Sequence, residues 1–205
     1  MSTYIRRFGQ DPAGKANAAG GGGTGLGELA RRGSPAPPGF CVRERAYREF
    51  MHASGALPTI RRLLVGLRVD DAEDVEVRSE QIRNFIMAQP MPEPIAIQLL
   101  ESYHRLGAEL GWVGGRLPAV SVRACATGAE SSPAALEGEQ DTCFSAGGDE
   151  DLVRHVKACW ASPWTARGLA HRVGRGIAHD QVALVVVVQA IVRSELPGSC
   201  SPPAP

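Results

Sequence analysis

The stretch VALVVVVQAIV, residues 182–192, opens with the longest apolar run of the chain, VALVVVV at 182–188. Seven residues are far short of the roughly 20 that a membrane-spanning helix needs. The run therefore reads as a strand buried on both faces. Such a strand needs neighbours, and three other segments can supply them. AVSVRAC at 119–125 alternates with period two and predicts a strand. EQDTCFSA at 139–146 is its hairpin partner or a neighbour in the same sheet. FCV at 40–42 follows SPAPPGF, a stiff turn, and predicts an early strand.

Helical periodicity fills most of the remainder. RERAYREFMHAS at 43–54 puts Ala46, Tyr47, Phe50 and Met51 on one face, with Glu44 and Arg48 as an i,i+4 pair. The acidic run within VDDAEDVEV, 69–77, is weakly patterned and reads as a solvated face. Ser79 is placed to cap a helix carrying Ile82, Phe85 and Ile86. Pro90, Pro92 and Pro94 break that helix. Ile95, Leu99, Tyr103, Leu106 and Leu110 mark a longer one, ending at Gly111. GGDEDLVRHVKACW at 147–160 carries its acidic residues in the first turn, where the helix dipole favours them, and a stripe of Leu152, Val153, Val156 and Trp160. WTARGLAHRV at 164–173 predicts another helix, and LGELARRG a short one ended by Gly33. No internal repeat is visible. The fold class expected is α+β: a helical N-terminal region, then a mixed sheet with flanking helices.

The chain has 205 residues, 43% hydrophobic and 21% charged, which suits a globular domain with a sizeable core. Its formal net charge of zero argues against a broad nucleic-acid footprint but leaves room for a local basic pocket. Nearly all the positive charge is arginine, Lys15 and Lys157 being the two lysines. Five cysteines without a CxxC pair fit reduced thiols rather than a disulfide framework or a zinc ribbon. With no apolar leader at the N-terminus, the expected location is the cytoplasm, with no membrane partner.

Few short motifs survive inspection. GGGGTG at 20–25 matches G-x-G-x-x-G by letter, but no strand precedes it and no GK[ST] follows. It reads as a flexible loop. His155 and Cys159 are i,i+4 on a helix, but no further pair with matching spacing completes a metal site, so no metal ligands are assigned. No histidine stands in a nucleophile–base arrangement, and no catalytic residue is assigned. Arg123 stands apart: a fixed cation on a strand, opposite a loop of small and acidic residues that ends at Gly138 and Thr142.

Six blocks, taken in order, carry a family resemblance. They are PAPPGFCV (35–42), AYREF (46–50), SVRACAT (121–127), EGEQDT (137–142), CWASPWTARGLAHR (159–172) and VALVVVVQAIVRSE (182–195). Together they resemble the N-terminal nucleotide-binding domain of phosphoenolpyruvate synthases, pyruvate phosphate dikinases and rifampicin phosphotransferases. The QDT, CWAS and VVVQ variants lean slightly towards the rifampicin phosphotransferase branch. The resemblance implies an ATP-grasp-like domain that holds ATP between two lobes and transfers phosphoryl to a histidine in another domain. It implies phosphate contacts for Arg123, positions against the triphosphate for Gly138 and Thr142, and a place near the nucleotide for Gln189. The chemistry fits: arginine presents a permanently charged donor fork, glycine lets backbone N–H groups approach an anion, and threonine adds a hydroxyl.

The departures are as specific. The family's early phosphate-binding lysine corresponds either to Lys15, across a glycine insertion, or to Gly22. The family's ATAED becomes ATGAE, which leaves Glu130 from an acidic pair, and its AYR tyrosine becomes His171. After SEL the composition changes abruptly, where the family continues into a second lobe with acidic Mg²⁺ ligands. The expected organisation is a flexible segment at 1–25, a partial ATP-binding domain at 26–198 and a disordered tail at 199–205. The expected ligands are ATP and Mg²⁺, with the metal ligands in the second lobe. The expected partners are the nucleotide and a separately encoded second lobe or phosphohistidine domain. On this reading the chain is the ATP-binding part of a phosphotransferase and not catalytic alone. The alternatives are a non-catalytic nucleotide-binding module, or a gene fragment whose apolar strand lacks its neighbours.

Overall fold

The computed structural model describes residues 3–8, 37–112, 117–126, 143–179 and 182–191. Among these residues five strands form one sheet: β1 (Ile5–Arg7), β2 (Gly39–Val42), β3 (Val120–Ala126), β4 (Cys143–Ala146) and β5 (Leu184–Ala190). Their spatial order is β1-β2-β5-β3-β4. All four ladders are antiparallel, so the sheet is not the mixed one expected from the sequence. The continuous apolar pattern of β5 comes from its central place, not from parallel pairing. It lies between β2 and β3, and all seven of its residues are buried. The strand thus has both neighbours.

Among the described residues six helices accompany the sheet: α1 (Glu44–Ala53), α2 (Ala56–Leu64), α3 (Ala72–Ala88), α4 (Glu93–Glu109), α5 (Asp149–Ala161) and α6 (Ala166–Gly174), with a 3-10 turn at Ser162–Trp164. In α1 the residues Ala46, Tyr47, Phe50 and Met51 are buried, and the Glu44–Arg48 pair forms at 2.6 Å. The Gly55 backbone has φ 62°, a left-handed turn that re-aims the chain into α2. The weakly patterned acidic stretch is the start of α3. Asp71 caps it, its side chain accepting from the Glu73 and Asp74 N–H groups. Ser79 therefore lies inside the helix instead of capping it. It is fully buried, and its Oγ donates to the Trp164 carbonyl at 2.8 Å. At the far end of α3, Lys157 Nζ donates to the Met87 and Gln89 carbonyls at 2.6 and 2.7 Å.

The helices meet one face of the sheet. Phe40, Val42, Val120, Val122, Val186 and Val188 share a core with Phe50, Ile82, Leu99, Tyr103, Trp160 and Trp164. Trp160 anchors it, with the Phe50 ring 4.9 Å and the Tyr47 ring 6.3 Å away. Each such aromatic pair contributes about 0.5–1.5 kcal/mol beyond its buried area. Val153, expected in the buried stripe of α5, is only partly covered.

The first 25 residues are not uniformly a linker, since Ile5–Arg7 pair with Val42–Phe40. The predicted helix at LGELARRG and the glycine run lie outside the described residues, as does the tail beyond 191.

Candidate functional site

Side chains alternate between the two faces of a strand, and directly paired residues share a face. The registers therefore define what the second face of this sheet carries. One row crosses all five strands as Arg6, Cys41, Val187, Arg123 and Cys143. The next runs Gly39, Gln189, Ser121 and Ser145. Val185 and Cys125 are paired in a third. Cys41, Val185 and Val187 are buried here, packed with Phe8 and Cys125, separately from the helical core. The face has an apolar floor with polar and cationic margins.

Arg123 is exposed on β3, and among the described residues no carboxylate pairs with it. Gln189 is its diagonal neighbour on β5, two residues along from Val187. Such diagonal positions lie about 7–8 Å apart, within reach of long side chains. Gln189 is 7% exposed and its Nε2 donates to the Pro37 carbonyl at 3.3 Å. Ser121 Oγ donates to the Gln189 carbonyl at 3.5 Å. Gly39 completes this corner. A Cβ there would stand 2.2 Å from the Val188 carbonyl oxygen and 2.8 Å from the Phe8 ring, so only glycine lets Phe8 lie over the sheet.

The thiols on the floor are not nucleophiles. Burial pushes Cys41 up to about 12, the Cys125 thiol adds to the rise, and Arg6 opposes it. Burial also raises Cys125, against the pull of Arg123. Burial thus favours the protonated form of both thiols near neutrality.

The structure thus brings two of the sequence-predicted site residues, Arg123 and Gln189, onto one face. Lys15, Gly138 and Thr142 lie outside the described residues, as does Gly22. His155 and Cys159 are both buried on α5, and the His155 ring stacks on Phe144 with centroids 4.7 Å apart. Cys159 belongs to the helical core. A cavity of about 320 Å³ beside α1 is lined by Arg45, Arg48, His52 and Leu57 among others, and includes none of the predicted site residues. No described helix is long and apolar enough to cross a membrane. Sequence reasoning missed β1, because the glycine- and alanine-rich composition downstream masked a short strand. The signal available was the pattern Tyr4-Ile5-Arg6-Arg7-Phe8, in which Ile5 faces the helical core.

The structure thus has an antiparallel sheet with helices on one face and, on the other, an apolar floor that carries Arg123. Residues 16–201 match the family described as the pyruvate phosphate dikinase AMP/ATP-binding domain. The chain belongs to that family. It is 36% identical over 179 residues to a probable phosphoenolpyruvate synthase of Staphylothermus marinus, covering 87% of this chain and 21% of the relative. It is 38% identical over 180 residues to the phosphoenolpyruvate synthase of Aeropyrum pernix, covering 87% and 22%. It is 32% identical over 199 residues to the rifampicin phosphotransferase of Bacillus cereus, covering 97% and 22%. The chain thus spans about a fifth of the length of these relatives.

Proposed function

We propose that the chain binds ATP against the second face of its sheet, as the nucleotide-holding part of a phosphotransferase of the phosphoenolpyruvate synthase and pyruvate phosphate dikinase type. Arg123 contacts the phosphates and Gln189 lies beside the nucleotide, with Gly138, Thr142 and Lys15 completing the phosphate cradle. One observation carries the reading. The arginine of the SVRACAT block stands exposed on β3, on the face that carries the apolar floor of Cys41, Val185 and Val187. A guanidinium beside a low-dielectric floor binds phosphate more strongly than one in open water. The Gln189 side chain is held by its Nε2 bond to the Pro37 carbonyl, and its backbone by the β2 and β3 ladders.

The phosphoryl group passes on to a histidine of another domain. The relatives, about four times the length of this chain, have room for such a domain and for a second lobe. The described residues offer no acidic cluster suited to Mg²⁺, so no step is assigned through a metal here. On this reading the chain binds and orients nucleotide without turning it over alone.

Thermal unfolding with and without Mg²⁺–ATP tests the reading. Ligand at about 100 times its dissociation constant stabilises the fold by roughly 2.7 kcal/mol. For a domain of this size that is a midpoint shift of about 5–11 °C. Arg123→Ala should abolish the shift while leaving the unliganded midpoint in place. A cooperative wild-type transition that ATP does not move sinks the proposal.

A further inference from the structure

We propose that Ser145, on the edge strand β4, is a further phosphate-binding residue of this face, offering its hydroxyl and its backbone N–H to the phosphates that Arg123 contacts. The inference rests on the ATP-binding reading above and adds to it a residue outside all six blocks of family resemblance. Its first basis is where the face is open. Cys41, Val185, Val187 and Gln189 are all buried. Among the described strand positions of this face, Arg123 and Ser145 are the exposed ones, with Ser121 half-buried beside them. A ligand therefore meets the sheet at its β3–β4 margin rather than over β5. Phe144 and Ala146 pack on the helical core, which leaves Ser145 on the other face. Ser145 pairs with Ser121, two residues before Arg123, so Ser145 and Arg123 are diagonal neighbours. Such positions lie about 7–8 Å apart, close enough for both side chains to reach one phosphate group.

The second basis is the hydrogen-bond pattern of the ladders. Facing residues of an antiparallel pair alternate between bonded and non-bonded pairs, so successive residues of a strand bond to opposite sides. The Ile191 N–H donates to the Ala119 carbonyl at 2.9 Å, which sets Ala119, Ser121 and Arg123 to bond towards β5. Val120 and Val122 then bond towards β4, to Ala146 and Phe144. The N–H of Ser145 consequently points outward, and β4 is the last strand on that side. Ser145 thus presents two donors beside a guanidinium, its O–H over the face and its N–H at the edge. Phosphate oxygens accept from all three.

Titration of Mg²⁺–ATP into the full chain and its Ser145→Ala, Ser145→Thr, Ser145→Pro and Arg123→Gln variants separates the outcomes, with the unliganded melting midpoint of each protein as a second readout. Ser145→Ala removes the hydroxyl and should weaken ATP about tenfold, the low end for a hydrogen bond to a charged group. Ser145→Thr keeps both donors and should bind as wild type, and the midpoints of these two variants should not move. Ser145→Pro also removes the N–H. Proline is tolerated on an edge strand whose N–H faces outward, so this variant should fold and bind more weakly than Ser145→Ala. If Ser145→Ala binds ATP like wild type, the inference falls; weakened binding by Arg123→Gln in the same series leaves the ATP-binding reading standing. A weakening that Ser145→Thr does not rescue, or that comes with a lowered midpoint, would mean that the serine only braces β4, and would overturn the inference too. A proline variant that binds as well as the alanine one takes the N–H out of it. A wild-type chain that binds no ATP removes the reading itself, and the inference with it.

Discussion

Gly39→Ala tests whether the corner of the sheet is as tight as its geometry implies. The added Cβ would lie 2.2 Å from the Val188 carbonyl oxygen, 2.8 Å from Phe8 Cε2 and 3.0 Å from the Gln189 Cα. Two of the three obstacles are backbone of the central strand and cannot rotate away. Ordinary carbon–oxygen contact starts beyond 3 Å, so β2 and β5 must part, and four paired positions are affected. Overpacking typically costs 1–3 kcal/mol, occasionally more, and a backbone obstacle belongs at the upper end, at about 3 kcal/mol. For a chain of this length that lowers the melting midpoint by about 6–12 °C. Gly55→Ala is the comparison. It has open space around it but φ 62°, so its cost is conformational alone, about 1–2 kcal/mol. Urea unfolding of the three proteins measures both differences. If Gly39→Ala is within 0.5 kcal/mol of wild type, or costs less than Gly55→Ala, the close approach is not what selects glycine there. Because Phe8 and Gln189 meet at this corner, the substitution should also weaken nucleotide binding.

Two further outcomes are expected. Ser79→Ala leaves the buried Trp164 carbonyl without its donor and should cost about 1–3 kcal/mol in the same urea assay; a loss below 0.5 kcal/mol would show that water replaces the hydroxyl. His155 is held below its ordinary 6.5, by burial first and then by Arg154, with Asp151 opposing. The unfolded chain then takes up a proton that the folded one resists, so stability contributed by this residue is present above pH 6.5 and is lost as pH falls towards the depressed folded value. His155→Gln should flatten the stability profile just below pH 6.5, and an unchanged slope would refute the assignment.

How far the sequence discloses the molecule depends on which interactions decide each element. The helices α1, α4 and α5 are set by a repeating apolar stripe, and their faces could be read directly from Ala46 to Met51, Ile95 to Leu106 and Leu152 to Trp160. β5 was legible because a run of valines has no other economical burial. The start of α3 was not, because Ser79 and Asp71 are both good caps and only the tertiary contact to Trp164 draws Ser79 inward. α2 carries only Ala56 and Ile60 as buried anchors, too few for a stripe. β1 is three residues long and owes its existence to β2, a partner local pattern cannot reveal. Arg123 and Gln189 were legible through family blocks, whereas their common face follows only from the register of β3 on β5.

The position of β5 also constrains how the molecule is made. The hairpin-like pairs β1–β2 and β3–β4 do not touch each other in the sheet; each waits for the strand that comes last along the described chain. Gln189 reaches back to Pro37 across 152 residues. Joining such distant segments means closing a large loop before the pairing returns any energy. A ribosome adding residues in order must therefore deliver every other described strand before β5 can enter, with the edges of β2 and β3 unpaired until then. Folding should be slow and late, and during synthesis those two waiting edges are where a chaperone would find its substrate.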